Sequence, residues 1–499
     1  MKRRQIFLNA VTTLVQVLLS ATILFFLYRF LIRTLGLERL GIWSLVLATT
    51  SVVTLANQGF STSIIKFVAK YVARKERGDV CLLVQTAMIS VGALLGIALV
   101  GLYPAARWIL HVVLPFGSVS EAYRILPYAF LALWINLTGG ILQAGLAGHE
   151  LITECNYVEL AGSALYLFLA FYLVPAHGLL GLGYAQAIQA GICFLAAWLL
   201  LKRRIPDLPL IPRRWNRRLF REAAGYGLNF QIITASQALR EPVTKALITK
   251  FGGLAMTALY EMAARCVVTV RELIVQSNQV LVPTVAGLHE KDPKLIPSVY
   301  RESYRLILFL ALPAFAFLVV LSPLISVIWI GRYEPVFVTF VALLAVGWLV
   351  NSLSNPAYVV DLGTGALRWV TIGCLATAVL NAVLGFAAGA RFGGVAVVVA
   401  SVASLIAGYL TVVAAYHIRN RVPFRQLLPA ESSGIALTSA VGALIFLPFF
   451  RFSPANAALS LRTAAGFIAA AVTMIVVPMW IHPMRKRLVS WVLAKIPAQ

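Results

Sequence analysis

The residues of greatest chemical interest are charges set among apolar neighbours. Between positions 223 and 288 stand Arg240, Glu241, Lys245, Lys250, Glu261, Arg265, Arg271 and Glu272, in blocks otherwise rich in aliphatic and aromatic residues. If those blocks lie in lipid, each charge costs about 3 kcal/mol unless it is paired or wetted. Glu241 and Lys245 are four residues apart, as are Glu261 and Arg265, so each couple can pair along its own helix. Arg240 and Arg271 lack such a neighbour and are expected to be without a local partner. Guanidinium groups in a water-filled space suit a diphosphate, which they grip through two parallel charge-assisted hydrogen bonds. Lys245 and Arg265 are counted with them as cationic candidates for that role.

Arg29 and Arg33 are also four apart and put two like charges on one helix face. Two readings attach to them: they line the same cavity, or they snorkel to the outer interface. The carboxylates able to carry a coupling ion, H+ or Na+, are Glu159, Glu241, Glu261 and Asp361, and spacing alone selects none of them. No organic cofactor and no metal site is expected. Amides such as Asn57, Gln58, Asn136 and the run Gln276-Ser277-Asn278-Gln279 could meet hydroxyl groups, with hydrogen bonding between helices as the alternative.

The elements that must position these groups follow from composition. Of 499 residues, 60% are hydrophobic and only 12% charged, and mean hydropathy is +0.87. About a quarter of a soluble domain is charged. The apolar residues fall in blocks of about 20, the length that crosses a hydrocarbon core. Backbone groups in lipid must be satisfied within the segment, so the blocks are helices. Fourteen spans are predicted, near 6–28, 41–65, 80–103, 123–147, 155–174, 179–201, 223–248, 256–288, 303–329, 336–360, 369–389, 393–416, 433–450 and 463–481.

The formal net charge of +24 is explained by topology. With the N-terminus inside, basic residues crowd the inner segments: Lys2 to Arg4, Lys66 to Arg77, Lys202 to Arg221, Lys291 to Arg305, and Arg419 to Arg425. Outer loops hold few, among them Arg39, Arg107, Arg124, Arg332 and Arg391. This is the positive-inside pattern, and it removes nucleic acid as a partner. Lys2, Arg3 and Arg4 precede an apolar stretch that ends at Tyr28-Arg29 with no small-residue cleavage site, so a retained first helix is expected. The five cysteines, Cys81, Cys155, Cys193, Cys266 and Cys374, lack metal-ligand spacing and read as packing residues.

The longest hydrophilic stretch, about 202–222, is too short to bury a core. No phosphate-binding loop, zinc helix or serine nucleophile elbow is present. An enzyme is therefore not expected. A glycan polymerase or ligase would require a long outer loop that this chain lacks.

A faint repeat divides the chain. The start of span 6, after Gly178, resembles that of span 12, after Gly393-Gly394, and both spans end in basic residues followed by Pro206 or Pro423. The start of span 2, Leu35 through Trp43, has a looser echo in Phe251 through Tyr260, before span 8. Six spans per half imply two parallel lobes. The expected organisation is an N-lobe of helices 1–6 at 1–205, a basic cytoplasmic linker at 206–222, a C-lobe of helices 7–12 at 223–425, and helices 13–14 with a cytoplasmic tail at 426–499.

Several stretches resemble the polysaccharide-export flippases of the multidrug/oligosaccharidyl-lipid/polysaccharide (MOP) transporter superfamily. They are the run from Arg33 through Gly36, Glu38 and Gly41 to Trp43; Asn57-Gln58-Gly59-Phe60; Lys66 to Tyr71; Glu241 to Lys245; Ala258 to Ala263; Pro283; and Trp329 to Tyr333. Where that family often has an acidic residue, this chain has Asn57-Gln58. The resemblance implies an all-α integral membrane fold of about fourteen helices, two six-helix lobes around a V-shaped central cavity, and two extra C-terminal helices. It also implies a secondary transporter in the bacterial inner membrane, with both termini cytoplasmic, that moves a polyprenyl-diphosphate-linked oligosaccharide by alternating access. The implied partners are that lipid-linked glycan, membrane lipids and other polysaccharide-assembly membrane proteins. The alternative on the same fold is a cation-coupled drug or organic-cation antiporter. It needs acidic cavity walls, whereas this interior leans basic.

Overall fold

The computed structural model describes residues 3–51, 55–74, 76–279, 292–427 and 432–439, with the isolated positions 285, 288, 429, 479, 480, 482 and 485. Among the described residues there is no strand, and long helices make up most of the chain. They are α1 (Arg3–Ser51), α2 (Leu55–Ala73), α3 (Arg77–Val113), α4 (Phe116–Gly148), α5 (Ile152–His177), α6 (Leu179–Lys202), α7 (Arg217–Gly252), α8 (Leu254–Gln279), α9 (Ile296–Ile330), α10 (Pro335–Thr364), α11 (Arg368–Phe392) and α12 (Gly394–Arg419). Nine of the described helices are long and apolar enough to cross a bilayer. The first twelve predicted spans each meet a helix. Positions 433–439, at the start of the thirteenth, are helical, and most of the thirteenth and fourteenth lie outside the described residues.

α7 and α8 are not among those nine, although both are long enough. At about 1.5 Å per residue, their 36 and 26 residues exceed a ~30 Å core. Charge and other polar side chains keep them out: α7 carries Arg240, Glu241, Lys245 and Lys250 with amides such as Gln231 and Gln237, and α8 carries Glu261, Arg265, Arg271 and Glu272. The helices that bear the candidate site are thus the polar members of an apolar set.

The turn between the first two spans is tighter than predicted. α1 contains a single non-helical residue, Gly36, at φ 82°, ψ 169°. The first helix therefore runs through Arg29 and Arg33, and the second begins at Leu37. Gly253, between α7 and α8, has nearly the same backbone at φ 84°, ψ 172°, in a region open essentially to glycine alone. The two echoing sequences carry one conformation.

The chain divides into two compact units, 1–258 and 259–499. In the first, α4 packs on α6, α3 and α2, α5 on α6 and α1, and α7 on α2, α1 and α3. The lobes read from the sequence differ from this division in the place of α7. In the second unit, α11 packs on α12, and α10 lies between α9 and α12. α11 and α12 meet at two glycines: a Cβ on Gly373 would come within 2.6 Å of the carbonyl oxygen of Gly408. Small residues permit that approach where apolar burial gives helices no reason to associate.

The linker at 206–222 is fastened to α3. The side-chain oxygen of Gln85 accepts from the backbone N–H groups of Arg213 and Arg214 at 3.1 and 3.2 Å. Thr86 Oγ1 accepts from Asn216 N–H at 3.1 Å, and Trp215 Nε1 donates to Ser90 Oγ at 2.9 Å. Asn216 then caps α7, its side chain accepting from Arg218 and Leu219 N–H. One extended segment thereby satisfies polar groups on α3 and starts the next helix.

Candidate functional site

Three pairs place one member in the interior and let the other reach outward. On α7, Lys245 Nζ lies 2.7 Å from Glu241 Oε1, with the lysine side chain 5% exposed and the glutamate 49%. On α8, Arg265 Nε lies 2.8 Å from Glu261 Oε1, and here the carboxylate is the buried partner at 2%. Both are the four-residue pairs expected from spacing, and each arises because i and i+4 lie on one face of a helix. The third pair joins distant helices. Asp361, fully buried near the end of α10, receives a hydrogen bond from Arg419 at the end of α12.

Arg271, which has no i,i+4 carboxylate on its own helix, is met from another one. Its Nε donates to Asn351 Oδ1 of α10 at 2.8 Å, and its guanidinium lies 5.3 Å from the centre of the Trp348 ring. Asn351 and Trp348 are one turn apart, so a single face of α10 receives the side chain. Sequence spacing could not reveal a contact that comes from another helix. Arg240 is half-buried on α7, its carbonyl accepting from Thr244 Oγ1 at 2.9 Å, and it too is engaged. On α1, Arg29 is half-buried and Arg33 exposed.

Glu159 belongs to a polar seam between α1 and α5 that spacing could have disclosed. Thr12, Thr13, Gln16 and Ser20 share one face of α1, and Asn156, Glu159 and Ser163 share one face of α5. Asn156 Nδ2 donates to Thr12 and Thr13 hydroxyls at 3.2 and 2.9 Å, Gln16 Nε2 donates to Glu159 Oε2 at 3.2 Å, and Ser20 and Ser163 hydroxyls meet at 3.4 Å. Of the four carboxylates able to bind a coupling ion, Glu241, Glu261 and Asp361 are paired with cations, while Glu159 is held by an amide. The side chains of Asn57, Gln58 and 276–279 lie outside the described residues. Among the described residues no group of His, Cys, Asp and Glu is placed to hold a metal, and the five cysteines carry no disulfide.

A multi-pass helical bundle whose polar helices carry paired charges is the architecture of a membrane transporter. The fold matches solved transporters at low sequence identity. An inward-facing MATE family multidrug resistance transporter of the MOP superfamily aligns with TM-score 0.70 at 14% identity, covering 81% of this chain and 94% of that one. The lipid II flippase MurJ, in an inward closed conformation, aligns with TM-score 0.71 at 11% identity, covering 94% and 98%. A MOP superfamily transporter from Pyrococcus furiosus, described as having a binding pocket of reversed polarity, aligns with TM-score 0.60 at 13% identity, covering 82% and 95%. No curated protein sequence matches. Residues 30–337 match the model of the polysaccharide biosynthesis protein family, and the chain belongs to that family, with the MOP transporter fold.

Proposed function

We propose that this chain is a secondary transporter that flips a polyprenyl-diphosphate-linked oligosaccharide across the bacterial inner membrane by alternating access, for cell-surface polysaccharide. The observation that carries the reading is the set of charged side chains on α7 and α8, five basic against three acidic between Arg240 and Glu272, in a member of the polysaccharide biosynthesis family. Arg240, Lys245, Arg265 and Arg271 are its cationic candidates. Arg265 and Arg271 are held by Glu261 and Asn351 in defined orientations. Such pre-organisation lets a guanidinium grip a diphosphate with little further ordering. Arg29 and Arg33, on the helix before Gly36, are two further basic candidates. Other polysaccharide-assembly membrane proteins are the partners of such a step, and both termini are cytoplasmic.

The carboxylates divide by their partners. A glutamate paired with arginine or lysine is already neutralised by a fixed cation, so a mobile H+ or Na+ has little to gain there. Glu159, held by Gln16, is the carboxylate best suited to coupling.

The test is to deplete the protein and identify the polyprenyl-linked intermediate that accumulates on the inner leaflet. Complementation with Arg240→Gln/Arg271→Gln should leave the accumulation in place at a normal membrane level of protein. Absence of any lipid-linked glycan build-up on depletion refutes the reading. The MATE-like fold favours a second reading, an antiporter of drugs or organic cations, which ion-coupled cation efflux from proteoliposomes would establish.

A further inference from the structure

The second unit contains a basic pocket built on elements other than α7 and α8. It has a volume of about 300 Å³, at the small end of ligand-binding sites. Arg301 and Arg305 line it from the first turns of α9, and Arg425 and Gln426 from the 3-10 turn Phe424–Leu427, with Tyr300 and Tyr304 completing the wall. The two sides are fastened together. Tyr304 Oη donates to the carbonyl of Leu427 at 3.1 Å, and the Tyr300 hydroxyl lies 2.7 Å from His417 Nε2. The His417 ring stacks on Phe424 with centroids 5.3 Å apart. The turn that carries Arg425 is therefore anchored to the helix that carries Arg301 and Arg305.

The charges in this neighbourhood do not cancel. Arg305 Nη1 lies 3.4 Å from Glu302, and Arg301 Nε donates to the carbonyl of Pro297 at 3.3 Å. Among the described lining residues and their ion-pair partner Glu302, three guanidinium groups thus stand against one carboxylate. Gln426 supplies a second, independent observation. Its side-chain oxygen is buried and has no hydrogen-bond partner among the described residues. A buried acceptor of this kind calls for a donor, which a bare phosphate diester cannot provide and a hydroxylated headgroup can.

Depth distinguishes a lipid from a soluble anion. Residues 306–330 of α9 carry no charge, a helical length of about 38 Å, which suffices for the whole hydrocarbon core. That core begins within a turn of Arg305, so the pocket opens at headgroup level. Basic pockets at helix ends are a recurrent form of headgroup recognition.

We propose that this pocket binds the phosphodiester of phosphatidylglycerol from the surrounding bilayer. Arg301, Arg305 and Arg425 hold the phosphate, and Gln426 accepts a hydrogen bond from a glycerol hydroxyl. The site serves a membrane lipid rather than the transported molecule, and it stands whatever the chain transports.

The experiment uses the full-length protein, delipidated in detergent and titrated with phosphatidylglycerol or phosphatidylethanol, with bound lipid counted by native mass spectrometry. The two lipids share one charge and differ in the headgroup hydroxyls. The parent protein is expected to prefer phosphatidylglycerol about tenfold, with inorganic phosphate failing to compete. Gln426→Leu, which keeps all three arginines, should erase that preference and leave phosphatidylethanol binding unchanged. Arg301→Gln/Arg425→Gln should weaken both lipids by at least about tenfold. Equal affinity of the parent for the two lipids, displacement by inorganic phosphate, or unchanged retention by the double variant would each overturn the proposal. Should the double variant fail to fold, the Gln426→Leu comparison decides alone.

Discussion

Arg271 and Asn351 are 80 positions apart in sequence, yet the Nε of the first donates to the Oδ1 of the second at 2.8 Å. The bond links a charged helix to an apolar one, and Trp348, one turn before Asn351, takes the guanidinium against its ring. The arginine is thereby aimed by one amide and one aromatic surface, both on α10. Its remaining N–H groups keep a fixed direction, which a lysine in its place could not reproduce.

The relationship predicts how transport responds to substitution. Arg271→Lys keeps the charge but loses the fork and the stacking, and should lower glycan flipping about tenfold. Asn351→Leu removes the aiming group and should lower it similarly. If surface polysaccharide in a complemented depletion strain is normal with either variant, the orienting role of this contact is wrong.

The Glu241–Lys245 pair makes a prediction about stability. Removing Glu241 takes away a counter-charge that lies 2.7 Å from the buried Lys245, and breaking a buried pair costs roughly 3–5 kcal/mol. Glu241 is half-exposed, so Glu241→Gln should fall at the low end of that range. Glu241→Gln/Lys245→Met removes both charges and should recover most of the loss. Thermal unfolding of the purified protein in detergent measures both variants, and additive losses would contradict the pairing.

For Glu159 the expected change is in coupling rather than folding. Glu159→Gln preserves a hydrogen-bonding side chain opposite Gln16, so the α1–α5 seam should persist and unfolding should shift little. Transport by proteoliposomes should lose its dependence on an imposed ion gradient. Retention of that dependence would move the coupling role to another carboxylate.

The two turn glycines should behave alike. Nothing lies within 4 Å of a Cβ built on Gly36 or Gly253, so the penalty for alanine comes from the positive φ alone. Each substitution should cost about 1–3 kcal/mol, and the two should agree because the backbones agree. Gly191, within α6, also has open space around it but no positive φ. Gly191→Ala should be neutral or stabilising by about 0.5–1 kcal/mol. Equal unfolding midpoints for all three variants would refute the backbone argument.

Parts of the site were legible in the sequence because they are local. The pairs on α7 and α8 need only a helix and a spacing of four. The echo of Leu35–Trp43 in Phe251–Tyr260 is also local, and the structure adds that its glycines Gly36 and Gly253 share one backbone conformation. The α1–α5 seam was legible in principle, since its polar residues recur at helical spacing on two segments, but spacing alone does not tell which two helices meet. The Asp361–Arg419 pair and the Tyr300–His417 contact join residues on separate helices, and no local pattern announces them.

Hydropathy and charge asymmetry by themselves determined that this chain is a multi-pass helical membrane protein, because lipid forces every backbone polar group to find its partner within its own segment. The motifs added its family. Only the tertiary structure decided which charges are clamped and by what: Arg271 by Asn351, Asp361 by Arg419, and the linker by Gln85. Apolar helices in lipid gain little by choosing one neighbour over another, so their arrangement rests on sparse polar contacts and close glycine crossings, and these depend on which faces meet.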